Sequence, residues 1–221
     1  MKTDNNTPKT LNGSTADSIR EKILQGEFLP GQRLSEATLS ESLSISRNTL
    51  REAFRLLSQE GLLKHEPNRG VFVATPSVTA IIDIYRARRL IECQALQLAY
   101  PHHPAKSLMR DAVEKALRFQ TERNWQEVGT CNMEFHMSIV QMADCERINQ
   151  MFSRMMAEQR LAFCTLPPEQ LHAPYVEQNA AILELVEAKK FTEAAAMLND
   201  YLLLAERSVL STYSRYAGEG T

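Results

Sequence analysis

The run over residues 62–75, LLKHEPNRGVFVAT, restricts the fold more than any other segment. Two short β-prone stretches flank a Pro-Asn-Arg-Gly turn, which reads as a hairpin. Upstream of it the pattern is helical. Ser14 is placed to cap a helix carrying Ile19, Ile23 and Leu24 that stops at Gly26. FLPGQRLSE reads as a Pro-Gly turn leading to Ser35, an N-cap for a short helix with Leu39 and Leu43 inward. SLSI breaks that helix, and Ser46 caps a third, with Leu50, Ala53, Phe54 and Leu57 on one face. Three helices followed by a hairpin predict a winged helix-turn-helix.

From Ser77 onward no β signal survives. Helices are expected at about 77–99, 104–122, 125–143, 146–165, 168–188 and 191–215, bounded by Pro101, Pro104, Pro167, Pro168 and Pro174. The fold class is therefore mainly α, an N-terminal winged helix-turn-helix domain followed by an all-α bundle of about six helices. The expected divisions are a polar, disordered tail at 1–13, a DNA-binding domain at 14–76, and an all-α domain at 77–221.

No apolar run is long enough to span a bilayer, and no charged stretch followed by an apolar one stands at the start. A cytoplasmic location and no membrane partner are expected. Cys93, Cys131, Cys145 and Cys164 are too scattered for a zinc or redox pair and read as buried, reduced thiols. Lys and Arg number 25 against 27 Asp and Glu, so net charge does not advertise a nucleic-acid partner. Between Ile45 and Gly70, however, Arg47, Arg51, Arg55, Lys64 and Arg69 face only Glu52, Glu60 and Glu66.

Within SISRNTLREAF, Arg47, Asn48, Arg51 and Arg55 fall opposite the apolar stripe. Such a face can be merely solvated, can hold an anion, or can read DNA. Arginine suits the last role because its fork donates two bonds to guanine O6 and N7, or to a phosphate. The placement between a Pro-Gly-led helix and a wing favours the reading edge.

The stretch PGQRLSEATLSESLSISRNTLREAFRLLSQEGLLKHEPNRGVFVA resembles the GntR family of bacterial transcription regulators over residues 14–76. The shared features are a PG-x-x-L turn, an S-R-T-x-x-R-E-A helix and an R-G wing tip. The resemblance implies DNA contacts at Ser46, Arg47, Asn48 and Arg51, with Arg69 and Gly70 at the wing. Asn48 stands where many members have threonine. Ala37 or Thr38 stands where some members place a further DNA-contacting arginine, so that contact is expected to be absent.

The second half resembles the FadR subgroup with its FCD-type effector-binding and dimerisation domain. DIYRARRLIECQALQLA is similar to that domain's Y-x-x-R-x-x-x-E helix, with Arg88 and Glu92 in place. NMEFHMSI and QNAAILELVEAKKFTEAAAMLNDYL resemble two further segments. Members with a metal use one Asp and three His, and here those positions are Asn132, His136, Asn179 and Tyr201. That set lacks the imidazoles and carboxylate a divalent ion needs, so no metal and no cofactor are expected. Arg88, Asn132, His136, Asn179 and Tyr201 are instead expected to line a polar cavity for a small anion such as a carboxylate, with Arg88 as its clamp. Read alone, His136 could be a core histidine, and Arg88 with Glu92 a surface pair.

Other features have simpler readings. His102 and His103 lie between prolines as loop residues. Trp125 near a helix start is packing. Met133, Met137, Met142, Met151, Met155 and Met156 are core filler.

The function expected is a non-enzymatic bacterial transcription regulator, a metabolite-responsive repressor. It would bind a palindromic double-stranded DNA operator as a homodimer. The alternatives are a metal-responsive regulator of the same family and an α-bundle enzyme using His136 as acid or base.

Overall fold

The computed structural model describes the backbone of residues 11–164 and 166–218, with side chains except those of 11–14, 24 and 214–218. The chain divides into two compact units, with the boundary between Thr75 and Pro76.

In the first unit, α1 (Leu11–Leu24) is followed by β1 (Arg33–Leu34), α2 (Glu36–Ser42), α3 (Arg47–Gln59), β2 (Leu63–Glu66) and β3 (Gly70–Val73). α1 starts one turn before the Ser14 cap expected from the sequence. Its 11–13 segment was expected to belong to the tail, the rest of which lies outside the described residues. A lone capping residue is a weak start signal where several polar residues precede an apolar periodicity. Ser35 and Ser46 are the N-caps expected, each side-chain oxygen accepting from the amide three residues on. Leu39 is buried inside α2, whereas Leu43 is its half-buried C-cap residue rather than an inward position.

Leu50, Ala53, Phe54 and Leu57 of α3 are all buried, with Ile19 and Ile23 of α1 and Leu62. Truncating any of the large ones to alanine costs about 2–5 kcal/mol, which is how this face fixes α3 in place. The wing is a three-stranded antiparallel sheet in the order β1-β3-β2. The sequence predicts only the hairpin β2–β3. The end of the Pro-Gly turn segment supplies β1, with Arg33 opposite Phe72 and Leu34 opposite Val71. Two residues carry no period, so only the partner strand makes them a strand.

The second unit comprises α4 (Val78–Leu98), α5 (Ala105–Thr121), α6 (Trp125–Gln141), α7 (Glu146–Phe163), α8 (Pro168–Glu187) and α9 (Phe191–Gly218). These agree closely with the spacing-derived helices. The main core joins Tyr85 and Leu96 of α4, Met109 of α5, Phe135 and Ile139 of α6, Ile182 of α8, and Leu198 and Leu202 of α9. Val140, Phe152 and Met156 form a smaller cluster that also collects Met133, Met137 and Met155. Met151 departs from the core-filler reading, being 54% exposed. Of the cysteines only Cys131 is fully buried. The other three are half-buried, Cys93 within α4 and Cys145 and Cys164 as the caps of α7. His103 is buried in the loop before α5, bridging Asp144 Oδ1 at 3.0 Å and the Ala105 amide at 3.0 Å. No helix among the described residues is long and apolar enough to cross a membrane.

Candidate functional site

Two constellations stand out, one in each unit. The first is the exposed end of α3. Ser46 has extended backbone (φ −70°, ψ 150°), and its Oγ accepts from the Thr49 amide at 3.1 Å. The amides of Arg47 and Asn48 belong to the first helical turn, where N–H groups have no intrahelical acceptor. Arg47, Asn48 and Arg51 are exposed on that end while the apolar face is buried beneath them. Ser46, Arg47, Asn48 and Arg51 thus occupy one helix terminus.

Arg51 is held from the side. Its Nε donates to Glu36 Oε2 of α2 at 2.9 Å, although the arginine side chain stays 63% exposed. Such an exposed pair adds little stability, but it limits the directions the guanidinium can take. Glu36 was not identified from the sequence, because the pairing crosses between two helices.

The wing tip carries Arg69 and Gly70. Arg69 pairs with Glu66, and its guanidinium lies 5.4 Å from the Phe72 ring centre. Gly70 has φ +110°, and a β-carbon there would come within 3.3 Å of Arg33 Nε. That close approach places Arg33 beside the wing tip, on β1. Arg33 is a further basic residue of this surface that sequence reasoning missed, for the same reason that it missed β1.

The second constellation is a buried polar network through the bundle. Arg88 and Glu92 of α4 are 2% and 0% exposed, so they are no surface pair. Arg88 Nε donates to Glu92 Oε1 at 2.7 Å, and Arg88 Nη1 donates to Gln159 Oε1 of α7 at 3.1 Å. Gln159 Nε2 in turn donates to the Tyr85 hydroxyl at 3.2 Å. His136 of α6 places Nδ1 2.5 Å from Glu92 Oε2 and Nε2 3.0 Å from the Tyr201 hydroxyl of α9. The single Tyr201 proton has a second acceptor in reach, Asn132 Oδ1 at 3.1 Å. Asn179 Nδ2 of α8 donates to the same oxygen at 2.8 Å.

The five residues expected to line one site are therefore linked in one network. Glu92, Gln159 and Tyr85 belong to it as well. Gln159 carried no signal, since its partners lie more than seventy positions away. Burial opposes the Glu92 charge, yet Arg88 and then His136 hold its carboxyl below the usual range. Burial also opposes the Arg88 charge, but Glu92 raises its pKa. Burial pushes the His136 imidazole down, with Glu92 pulling the other way, so it is neutral at pH 7. Burial raises the Tyr201 phenol, which keeps its proton.

Two buried atoms of the network lack a partner, Arg88 Nη2 and Asn179 Oδ1. One is a donor and the other an acceptor. An unsatisfied buried polar atom costs about 1–3 kcal/mol, so each of these two atoms favours any group that complements it. A metal does not suit this set. Both His136 nitrogens are engaged, and the other ligand positions hold two amides and a phenol. Among the described residues no group of three or more His, Cys, Asp or Glu could hold a metal ion.

The description "Bacterial regulatory proteins, gntR family" matches residues 11–73, and the FCD domain matches residues 83–203. Over 175 residues the chain is 26% identical to the Nta operon transcriptional regulator of Aminobacter aminovorans, spanning 77% of this chain and 81% of that protein. It is 30% identical over 129 residues to the HTH-type transcriptional regulator YdhC of Bacillus subtilis (strain 168), the match spanning just over half of each, 56% and 57%. Among solved structures, a GntR transcriptional regulator from Rhodococcus sp. RHA1 superposes with a TM-score of 0.87 at 33% identity, covering 91% of this chain and 98% of that one.

Proposed function

The chain belongs to the gntR family of bacterial regulatory proteins and carries an FCD domain, and from that premise we propose how this transcription regulator works. It is not an enzyme. As a cytoplasmic homodimer it binds a palindromic operator through two copies of α3 and the wing, and the bound form represses by occluding the promoter. Ser46, Arg47, Asn48 and Arg51 meet the major groove, and Arg69 with Gly70 meets the flanking backbone. A small organic anion enters the bundle network and weakens operator binding by favouring a state with lower DNA affinity.

The observation that carries the effector half is the unpartnered Arg88 Nη2, a buried cationic donor at one end of a network whose other unpartnered atom is Asn179 Oδ1. A carboxylate would share the guanidinium with Glu92, taking Nη2 while Glu92 keeps Nε. The same ligand needs a donor, such as a hydroxyl, for Asn179 Oδ1.

The test begins with a thermal-shift screen of organic and hydroxy acids, followed by gel shifts on selected palindromes. Arg88→Lys then keeps a cation for Glu92 but removes Nη2. Operator affinity is expected to stay within about twofold, while the acid concentration needed for release rises about tenfold or more, the value of one charge-assisted hydrogen bond. Unchanged release in R88K, or no palindrome bound at moderate salt, overturns the corresponding half of the reading.

A further inference from the structure

A carboxylate stands inside the basic surface of the first unit, where DNA phosphates would repel it. Glu36, in the first turn of α2, lines two grooves of that surface. One lies between α3 and the sheet and is shared with Arg51, Phe54, Arg55 and His65. The other lies beside β1 and the wing tip and is shared with Arg33 and Gly70. The Glu36 side chain is 34% exposed, and its Oε2 accepts from Arg51 Nε at 2.9 Å. An exposed ion pair contributes little stability, so stability does not account for an acid here. Its effect on Arg51 does.

The two ends of the pair sit on different helices, each fixed by its own buried face. Leu39 holds α2, and Leu50 and Phe54 hold α3. With Nε engaged, the side-on edge of the Arg51 guanidinium is closed. The fork left open is the end-on one, Nη1 with Nη2. Its two parallel donors match guanine O6 and N7, but they match two phosphate oxygens equally well. Glu36 separates these partners. A phosphate on that fork would place a second anion across the same guanidinium from the carboxylate, whereas the guanine edge is neutral. The Arg51 charge is also already balanced, so docking it releases no counterion. Arg47, one turn earlier, is exposed and has no ion pair among the described residues, which leaves its charge available to a phosphate.

We infer that Glu36 is a positioning residue that makes Arg51 a guanine reader and so sets the base preference at one position of each operator half-site. The inference rests on the DNA-binding reading above and extends it from where the chain touches DNA to what one contact recognises.

Fluorescence anisotropy of the full chain tests it, with circular dichroism as the check on folding. The probes are a duplex that the wild type selects from a randomised palindrome library and a scrambled duplex of the same length. Each guanine of the half-site is replaced in turn by 7-deazaguanine, which lacks the N7 acceptor. Wild-type binding is expected to weaken about tenfold or more at one such position. Arg51→Ala is expected to lose that sensitivity while leaving the dependence of log Kd on log salt unchanged. Arg47→Ala is expected to flatten that dependence by about one per protomer. Glu36→Ala frees Arg51 for phosphate. It is expected to cut the 7-deazaguanine penalty to about threefold or less and to steepen the salt dependence by about one per protomer. Glu36→Gln keeps an acceptor for Nε but no charge, and is expected to steepen the salt dependence in the same way. If the wild type binds the selected duplex but E36A changes neither the penalty nor the salt dependence, the assignment is overturned and DNA binding stands. The same holds if no 7-deazaguanine position matters to the wild type. It holds too if E36A loses discrimination at a cytosine that R51A still recognises, since Glu36 would then read the base itself. A wild type that selects no palindrome overturns both.

Discussion

A β-carbon on Gly129 would lie 2.5 Å from His172 Nε2 and 2.6 Å from Arg160 Nη1, closer than such atoms approach. Gly129 lies in the second turn of α6, where glycine is otherwise a poor choice by about 1 kcal/mol relative to alanine. The glycine is explained by packing, since α6 must leave room for two large polar side chains. Neither yields easily: Arg160 is 8% exposed and donates to the Gln126 carbonyl at 3.4 Å, and His172 is 5% exposed and edge-on to Phe163 at 5.8 Å. Gly129→Ala is therefore expected to destabilise the protein by about 1–3 kcal/mol, the usual cost of overpacking, despite its gain in helix propensity. Urea denaturation measures this; a variant as stable as wild type would mean that His172 yields without cost. The sequence did not single out Gly129, His172 or Arg160, since the three come together only through the packing of α6, α7 and α8. Glu92 shows the same limit from the other side. Its i, i+4 spacing from Arg88 was legible, but whether that pair faced solvent or the bundle core depended on neighbours far along the chain.

Elements were more legible than residues. The six helices of the second unit follow from apolar periodicity and proline boundaries, because long amphipathic helices carry their pattern locally. The α3 cap was equally plain, since a serine before a helical stripe has one strong local use. What escaped was β1, too short to show a period and defined only by its pairing with β3. Arg33 and its place beside Gly70 escaped with it. Ser46 has a structural role and a proposed DNA-contacting role, and these can be separated. Ser46→Ala removes the acceptor for the Thr49 amide and is expected to cost about 0.5–2 kcal/mol of stability. Ser46→Asp restores a capping oxygen and a charge suited to a helix N-terminus, so its stability is expected to stay near wild type. Its carboxylate would nonetheless enter the negative potential of the major groove, and operator affinity is expected to fall about tenfold or more. Unfolding curves and gel shifts on both variants read the two effects. If S46D binds the operator like wild type, the start of α3 does not face the DNA.

For the molecule as a whole, the second unit is the acid-sensitive one. Burial, then the nearby Arg160, pushes the His172 imidazole down to about 4. Burial pushes His136 in the same direction, against Glu92. The unfolded chain takes up these protons near pH 6.5, whereas the folded chain resists them. Their contribution is therefore fully present above pH 6.5 and is lost as pH falls below it. For His172 the loss reaches about 3 kcal/mol near pH 4, at about 1.4 kcal/mol per unit. Glu92 adds a later loss of the same sign, because its folded carboxyl ionises below its ordinary range. The first unit contributes no buried histidine among the described residues, its His65 being exposed. Lowering the pH from 7.5 to 5.5 should thus cut the melting temperature by several degrees, each kcal/mol being worth about 2–4 °C in a chain of this size. His172→Gln removes one titrating ring and should shallow that slope while leaving the contribution of His136. A melting temperature that does not change between pH 7.5 and 5.5, or a slope as steep in H172Q as in wild type, would show that the buried imidazoles are not what couples this fold to pH.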